Sequence, residues 1–274
     1  MMMEVIGETK NTYSLLWQQS DSAVPQKWHF NAMQEAISEP IVRGRIGIEV
    51  GSGCGYDTYI MAKDNPAVKL VTIDISDGIY NTRRLVAGLD NVVAMKCSAL
   101  DIAVKDSSLD FAYSFGVLHH TSDPKKGLRE IARILKKDCP AFLYLYEDHS
   151  ENIVKHTLLK FVTAARRLTT RIPKNMLYAL SLVLSPFIFI TFTVPSKIMK
   201  NFKATRHIAE GMPFNFGTGP FSLRGDLYDR FGAPIEYRFS RKGMNELFAE
   251  CGFSNIHITR LRDTAGWAAW GYKS

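Results

Sequence analysis

The 274-residue chain is 46% hydrophobic and carries a net charge of +7, so it can bury a full core as one domain with an elaboration. Cys54, Cys97, Cys139 and Cys251 show neither paired nor metal-like spacing, which argues against a disulfide scaffold and fits small buried thiols in a reducing cytoplasm. The first ten residues hold no apolar run, so no secretory signal is expected, and neither an internal repeat nor a low-complexity tract is present.

Residues 1–43 read as an N-terminal segment whose aromatics Tyr13, Trp17, Trp28 and Phe30 either close over a ligand or pack on the core. Arg45 to Val50 then reads as a short buried strand bearing Glu49 and running into a turn with glycines at 51, 53 and 55. Glycine permits positive φ and close approach of a ligand to the backbone. Asp57 to Lys63 continues as a helix, giving the strand, glycine turn and helix that open a nucleotide-binding α/β sheet. A second strand, Lys69 to Ile75, places Asp74 at its carboxyl edge, where a carboxylate can accept hydrogen bonds from ribose hydroxyls. That acid suits NAD and other adenosine ligands alike. A dinucleotide fingerprint, however, needs its third glycine at position 56, which is Tyr56.

A third strand is expected over Asn91 to Lys96, and a fourth within the stretch 107–120, which ends in His119-His120. Asp123 as N-cap and Pro124 at the first helical position start a helix with Leu128, Ile131, Ile134 and Leu135 on one face. Ala141 to Tyr146 is the fifth strand. At the far end, Phe239 to Cys251 reads as a helix closed by Gly252, and Ser254 to Leu261 with Gly266 to Tyr272 as an antiparallel pair.

These elements, in this order around Glu-x-Gly-x-Gly-x-Gly, resemble the class I S-adenosylmethionine (SAM)-dependent methyltransferases, in particular the small-molecule type 11-like group. The resemblance covers roughly 44–148 and 236–274. It implies an α/β, Rossmann-like sheet of seven mostly parallel strands with an antiparallel C-terminal hairpin, covered by residues 1–43 and carrying an inserted cap at 149–235 after strand 5. It further implies SAM as cofactor and S-adenosylhomocysteine as product. The cofactor residues implied are Glu49, Gly51, Ser52, Gly53, Asp74, Ile75, Ser98, Ala99, Ser114 and Phe115. Ser98 departs from the family, which usually has an acid there to meet the adenine amino group. Ser98 with the Ala99 backbone is the expected replacement, with Asp101 as the weaker substitute.

Methyl transfer needs positioning above all, and a base only for a hydroxyl or a protonated amine. The catalytic candidates are His120, after the fourth strand, and His149 with Asp148, after the fifth; a helix cap and a solvated neighbour are the plain alternative for the latter pair. No metal is expected, because His119-His120 has no further ligand at a helpful spacing.

The positive charge sits in the insert. Between 151 and 210 there are ten Lys or Arg against Glu151 and Glu210, and no RNA-binding signature accompanies them, so a nucleic-acid partner is not favoured. Ile153 to Thr169 forms a basic amphipathic helix with Val154, Leu158, Phe161, Val162, Ala165 and Leu168 on one face. Met176 to Pro195 is charge-free and long enough for a membrane span. One crossing would strand the last helix and hairpin away from their sheet. Arms of ten residues split at Pro186 would reach only about 15 Å of a core about 30 Å thick. A buried cap, a homodimer contact and a monotopic membrane contact through 151–210 remain open. Asp229, Arg230, Glu236 and Arg238 on the return are either ion-paired anchors or substrate contacts.

The expected function is SAM-dependent methylation of a small apolar or lipid-like acceptor, in the cytoplasm or at its membrane face. The alternatives are a catalytically silent homologue docking on a membrane or partner, and a nucleic-acid methyltransferase.

Overall fold

The computed structural model describes residues 2–19, 29–261 and 264–274. The chain divides into two compact units, 1–156 with 234–274, and 157–233.

In the first unit the α-helices α1 (Met2–Gln18) and α2 (His29–Ala36) precede a seven-stranded sheet. Its elements in chain order are β1 (Ile46–Val50), α3 (Tyr56–Asp64), β2 (Lys69–Asp74), α4 (Gly78–Leu85), β3 (Val92–Lys96), β4 (Phe111–Phe115), α5 (Pro124–Ile134) and β5 (Pro140–Tyr146). The strand order is β3-β2-β1-β4-β5-β7-β6, where β6 is Phe253–Arg260 and β7 is Gly266–Lys273. The first five strands run parallel, while β7 is antiparallel to both β5 and β6. Every strand expected from the sequence is present; α4 is an additional helix.

Alternation builds the two faces of the sheet. Ile48, Val50, Ala112, Leu143 and Leu145 face one apolar layer with Leu128, Ile131 and Ile134 of α5. Phe111, Tyr113, Phe142 and Tyr144 face the other, with Phe30 and Met33 of α2 and Met61 of α3. Helix ends follow the local chemistry. Asp123 accepts the Lys126 amide at 2.8 Å with Pro124 in the first turn. Ser240 accepts the Gly243 amide at 3.0 Å to start the helix Arg241–Glu250, and Gly252 follows its end at φ +84°.

The second unit holds residues 157–169 of the helix Ile153–Thr169 (α6), then α7 (Lys174–Ile188), a π-helical turn Phe189–Thr193, α8 (Val194–Met199), α9 (Arg206–Gly211) and α10 (Arg224–Gly232). Pro186 does not divide the apolar segment. The helix runs unbroken over 26 residues, Lys174–Met199, with a π-helical turn at Phe189–Thr193 just beyond the proline. It is long and apolar enough to cross a membrane, and only 22% of its most apolar window is buried. A buried segment is therefore not what the chain forms there. The return from the insert contains α10, with an Asp226–Arg230 ion pair at 3.6 Å one helical turn apart.

Candidate cofactor and active site

The chain reverses direction across the sheet at β1 and β4, the neighbouring strands whose following elements lead to opposite edges. Open α/β sheets bind ligands at this switch point, outside the carboxyl ends of the strands. A cavity of about 820 Å³, its mouth included, lies there and is lined by the glycine turn, the ends of β2 and β4, the loop after β3 and residues of α1.

The glycine turn is shaped by contacts behind it. Gly51 has φ +88°, and a Cβ there would lie 2.1 Å from Val117 Cγ2. Its N–H donates to Ile73 O at 2.7 Å, as does that of Ser52 at 3.1 Å. The Gly53 N–H donates to Asp74 Oδ2 at 2.8 Å, and the Gly55 N–H to Ser52 O at 2.8 Å. Four amides of the turn are thus spent inside the protein. A pyrophosphate cradle needs such amides aimed outward. This turn suits a nucleoside ligand without a phosphate, which SAM is and NAD is not. Gly51→Ala is expected to cost about 2–3 kcal/mol in urea unfolding, from positive φ and overpacking together. Adding Val117→Ala should recover only the packing part.

Asp74 Oδ1 accepts from the Ser76 N–H at 2.7 Å and the Ser76 hydroxyl at 2.6 Å. Burial pushes its carboxyl up while these donors and the Gly53 N–H pull it down. Oδ2 accepts from the Gly53 N–H, and a carboxylate oxygen has room for a second donor such as a ribose hydroxyl. Next to it stand Ile75, Cys97, Ser98, Ala99 and Leu100. Ser98 Oγ accepts the Leu100 N–H at 3.1 Å, so the hydroxyl keeps its own proton for an adenine nitrogen. Asp101 does not line the cavity.

Of the residues nominated from sequence, Gly51, Gly53, Asp74, Ile75, Ser98, Ala99, Phe115 and His120 line the cavity together. Five do not. Glu49 is 2% exposed and turned into the core, where Thr58 Oγ1 and Thr72 Oγ1 (2.9 Å) donate to its Oε2. Burial, then the nearby Asp57 charge, pushes its carboxyl up to about 8. Ser52 Oγ meets Thr82 Oγ1 at 3.1 Å, and Ser114 Oγ donates to Val50 O at 2.9 Å, tying β4 to β1. Asp148 Oδ1 accepts the Ser150 N–H at 2.9 Å and behaves as a local cap. His149 is paired with Glu147 at 3.5 Å rather than with Asp148, and desolvation lowers its pKa.

Tyr13 and Trp17 of the cover line the cavity, whereas Phe30 packs edge-on against Tyr113 in the core, and Trp28 lies outside the described residues. Val117, Thr121, Ser122 and Ile235 also line it and were not anticipated. Ile235 is 115 residues from its partner His120, whose Nδ1 meets the Ile235 carbonyl at 2.8 Å. A carbonyl only accepts, so Nδ1 carries the proton and Nε2 of the neutral ring keeps its lone pair. The periodicity of His119-His120 held no hint of this long-range contact.

Glu236 and Arg238 form an ion pair at 2.7 Å, and Arg238 also donates to Glu147 O at 3.0 Å, which accounts for them as anchors.

Residues 48–143 match the model of a methyltransferase domain family. Demethylmenaquinone methyltransferase of Clavibacter sepedonicus is 33% identical over 138 residues, 50% of this chain and 52% of that protein. A tRNA (carboxymethyluridine(34)-5-O)-methyltransferase of Saccharomyces cerevisiae is 32% identical over 94 residues, 34% of this chain and 32% of that one. The chain thus spans about a third to a half of the length of the curated relatives it matches. Among solved structures, Burkholderia thailandensis 1,6-didemethyltoxoflavin-N1-methyltransferase, with its substrate and S-adenosylhomocysteine bound, superposes with TM-score 0.60 at 11% identity, over 100% of this chain and 91% of that one. Strand order, a turn without a phosphate cradle and the matched domain agree: residues 48–143 are a methyltransferase domain, set in a sheet with the class I SAM-dependent methyltransferase fold.

Proposed function

We propose that this chain transfers a methyl group from SAM to a small acceptor of apolar or lipid-like character. The observation that carries the first half is the glycine turn, in which the amides of Gly51, Ser52, Gly53 and Gly55 are engaged internally beside the Asp74 carboxyl at the cavity wall. SAM supplies an electrophilic methyl on a sulfonium. The protein's part is to hold and orient. Asp74 takes a ribose hydroxyl, Ser98 and the Ala99 backbone meet the adenine, and Gly51 and Gly53 admit the ligand against the backbone.

His120 is the residue placed to accept a proton from an acceptor hydroxyl or ammonium, because its Nδ1 is fixed to the Ile235 carbonyl and its ring lines the cavity. Tyr13, at 5.3 Å between ring centroids, and Tyr146, at 5.6 Å, confine that ring. Apolar character of the acceptor is supported by Phe115, Val117 and Ile235 in the cavity wall. The similarity to a relative named for demethylmenaquinone agrees with it.

Incubation with methyl-labelled SAM and cell extract, separated into lipid, small polar and macromolecular fractions, tests the reading. Label is expected in the lipid fraction; label confined to RNA would replace the acceptor assignment, and no saturable SAM binding by calorimetry would remove the proposal. His120→Gln is expected to lower kcat about 10²–10³-fold while leaving the SAM dissociation constant within about twofold. Unchanged kcat across pH 6–9 would show that no base acts at this position.

A further inference from the structure

Unit 157–233 buries a small apolar core that includes Leu177, Leu223, Leu227 and Tyr228, and leaves much of its apolar surface outside it. A helix of a water-soluble domain buries its apolar stripe and exposes its polar one. In the helix Lys174–Met199, Leu177 excepted, the order is reversed. Ser181, Ser185, Thr193 and Ser196 are all at most 3% exposed, on the face turned toward the rest of the unit. Their hydroxyls are spent on carbonyls: Ser185 on Pro220 at 2.7 Å, Thr193 on Phe214 at 2.5 Å, and Ser196 on Ala209 at 2.9 Å. The outer face carries Met176 (64% exposed), Val183 (60%), Phe187 (64%) and Ile190 (64%). The part of α6 within the unit does the same. Arg166 is buried and donates to Ala233 O at 2.7 Å, while Leu158, Phe161 and Leu168 are exposed. Contiguous exposed apolar surface of this kind marks an interaction face.

Charge decides what covers it. The unit holds eleven Lys or Arg against Glu210, Asp226 and Asp229, a net +8, whereas the rest of the chain is close to neutral. Lys160, Arg167, Arg171, Lys197, Lys203 and Arg206 are exposed. A second copy of the same cationic unit would repel the first. An anionic lipid surface satisfies both features, taking the apolar side chains into its acyl boundary and the cations among its headgroups.

We propose that unit 157–233 is a monotopic membrane anchor that docks on anionic bilayers with Lys174–Met199 lying in the plane of the interface. The in-plane orientation follows from α10, which packs along α7 and carries Arg224, bonded to Tyr178 OH at 3.1 Å, and the Asp226–Arg230 pair. A crossing helix would take these charges into hydrocarbon, where they are costly. An interfacial one keeps α10 on the aqueous side.

Sedimentation of the full chain with vesicles of phosphatidylcholine alone or with 30% phosphatidylglycerol tests this without SAM or substrate. Binding to the anionic vesicles, and weaker binding to phosphatidylcholine alone, are expected. The double variant Val183→Glu, Phe187→Glu changes only exposed side chains and should abolish binding with an unchanged far-UV circular dichroism spectrum. Replacing Lys197, Lys200 and Lys203 by glutamine should weaken partitioning roughly hundredfold, from about 1 kcal/mol per cation. Absence of binding by the folded native chain overturns the proposal. So does equal binding to neutral and anionic vesicles, and so does a homodimer that the Glu variant dissociates while native protein ignores vesicles.

Discussion

Asp74→Asn is expected to destroy cofactor binding and destabilise the fold, although it changes one oxygen to nitrogen. Oδ2 accepts from the Gly53 N–H and Oδ1 from the Ser76 N–H. Whichever way the amide is turned, its NH2 group must face one of these backbone donors. Leaving a buried donor unsatisfied costs about 1–3 kcal/mol, and the misplaced donor also loosens the glycine turn. The ribose hydroxyl loses a charged acceptor, worth about 1.5–3 kcal/mol. Calorimetric titration with SAM should therefore show at least about a hundredfold weaker binding, and urea unfolding a midpoint shifted down. Native-like SAM affinity in this variant would mean that Asp74 serves the turn alone.

The neighbouring acid should respond in the opposite sense. Glu49→Gln is expected to be close to neutral at pH 5 and stabilising at pH 9. In the unfolded chain this carboxyl titrates near its ordinary 4.5, and in the folded protein near 8, because burial and Asp57 oppose its charge. Below pH 4.5 both states hold the proton and the full contribution is present. Between 4.5 and 8 the folded state binds more protons than the unfolded one, so stability falls as pH rises, and it levels off above 8. The gap corresponds to about 5 kcal/mol, which glutamine, already uncharged, does not lose. Thr58 and Thr72 can donate to its carbonyl oxygen as they do to Oε2. Chemical denaturation of both proteins from pH 5 to 9 reads this directly. A native protein with flat stability over that range would show Glu49 ionised throughout, and weakened SAM binding by Glu49→Gln with unchanged stability would return it to the cofactor's contacts.

The two carboxylates looked equivalent in sequence, each ending a strand beside the cofactor turn. Their difference is one of side-chain direction. Glu49 is directed to the threonines of α3 and β2, whereas Asp74 sits where β2 ends and can reach both the turn and the cavity. Alternation along a strand tells which residues share a face, but it does not tell which face a ligand will occupy. Asp148 and His149 show the same limit. They follow a strand end as His120 does, yet the backbone after β5 turns them to Ser150 and Glu147 and away from the lining of the cavity.

Local chemistry made the core legible from residues alone. Gly51, Gly53 and Gly55 after an apolar strand, Asp123-Pro124 at a helix start, Gly252 at a helix end and the short connection between the last two strands are all short-range signals. They fix elements whose order admits few topologies, and the absent third glycine at position 56 pointed away from a dinucleotide. Long-range placement stayed hidden. Ile235 reaches His120 only through folding, since nothing within either segment specifies a contact 115 residues away. The insert shows the same division most clearly. Composition alone revealed an apolar, charge-free run framed by cations. Which of its faces would be covered depended on the hydroxyls of Ser185, Thr193 and Ser196 finding the carbonyls of Pro220, Phe214 and Ala209, and that pairing turned the apolar side outward. Periodicity specifies an amphipathic helix and its two faces; only the free energy of tertiary contacts decides which face is buried and which is left for a partner.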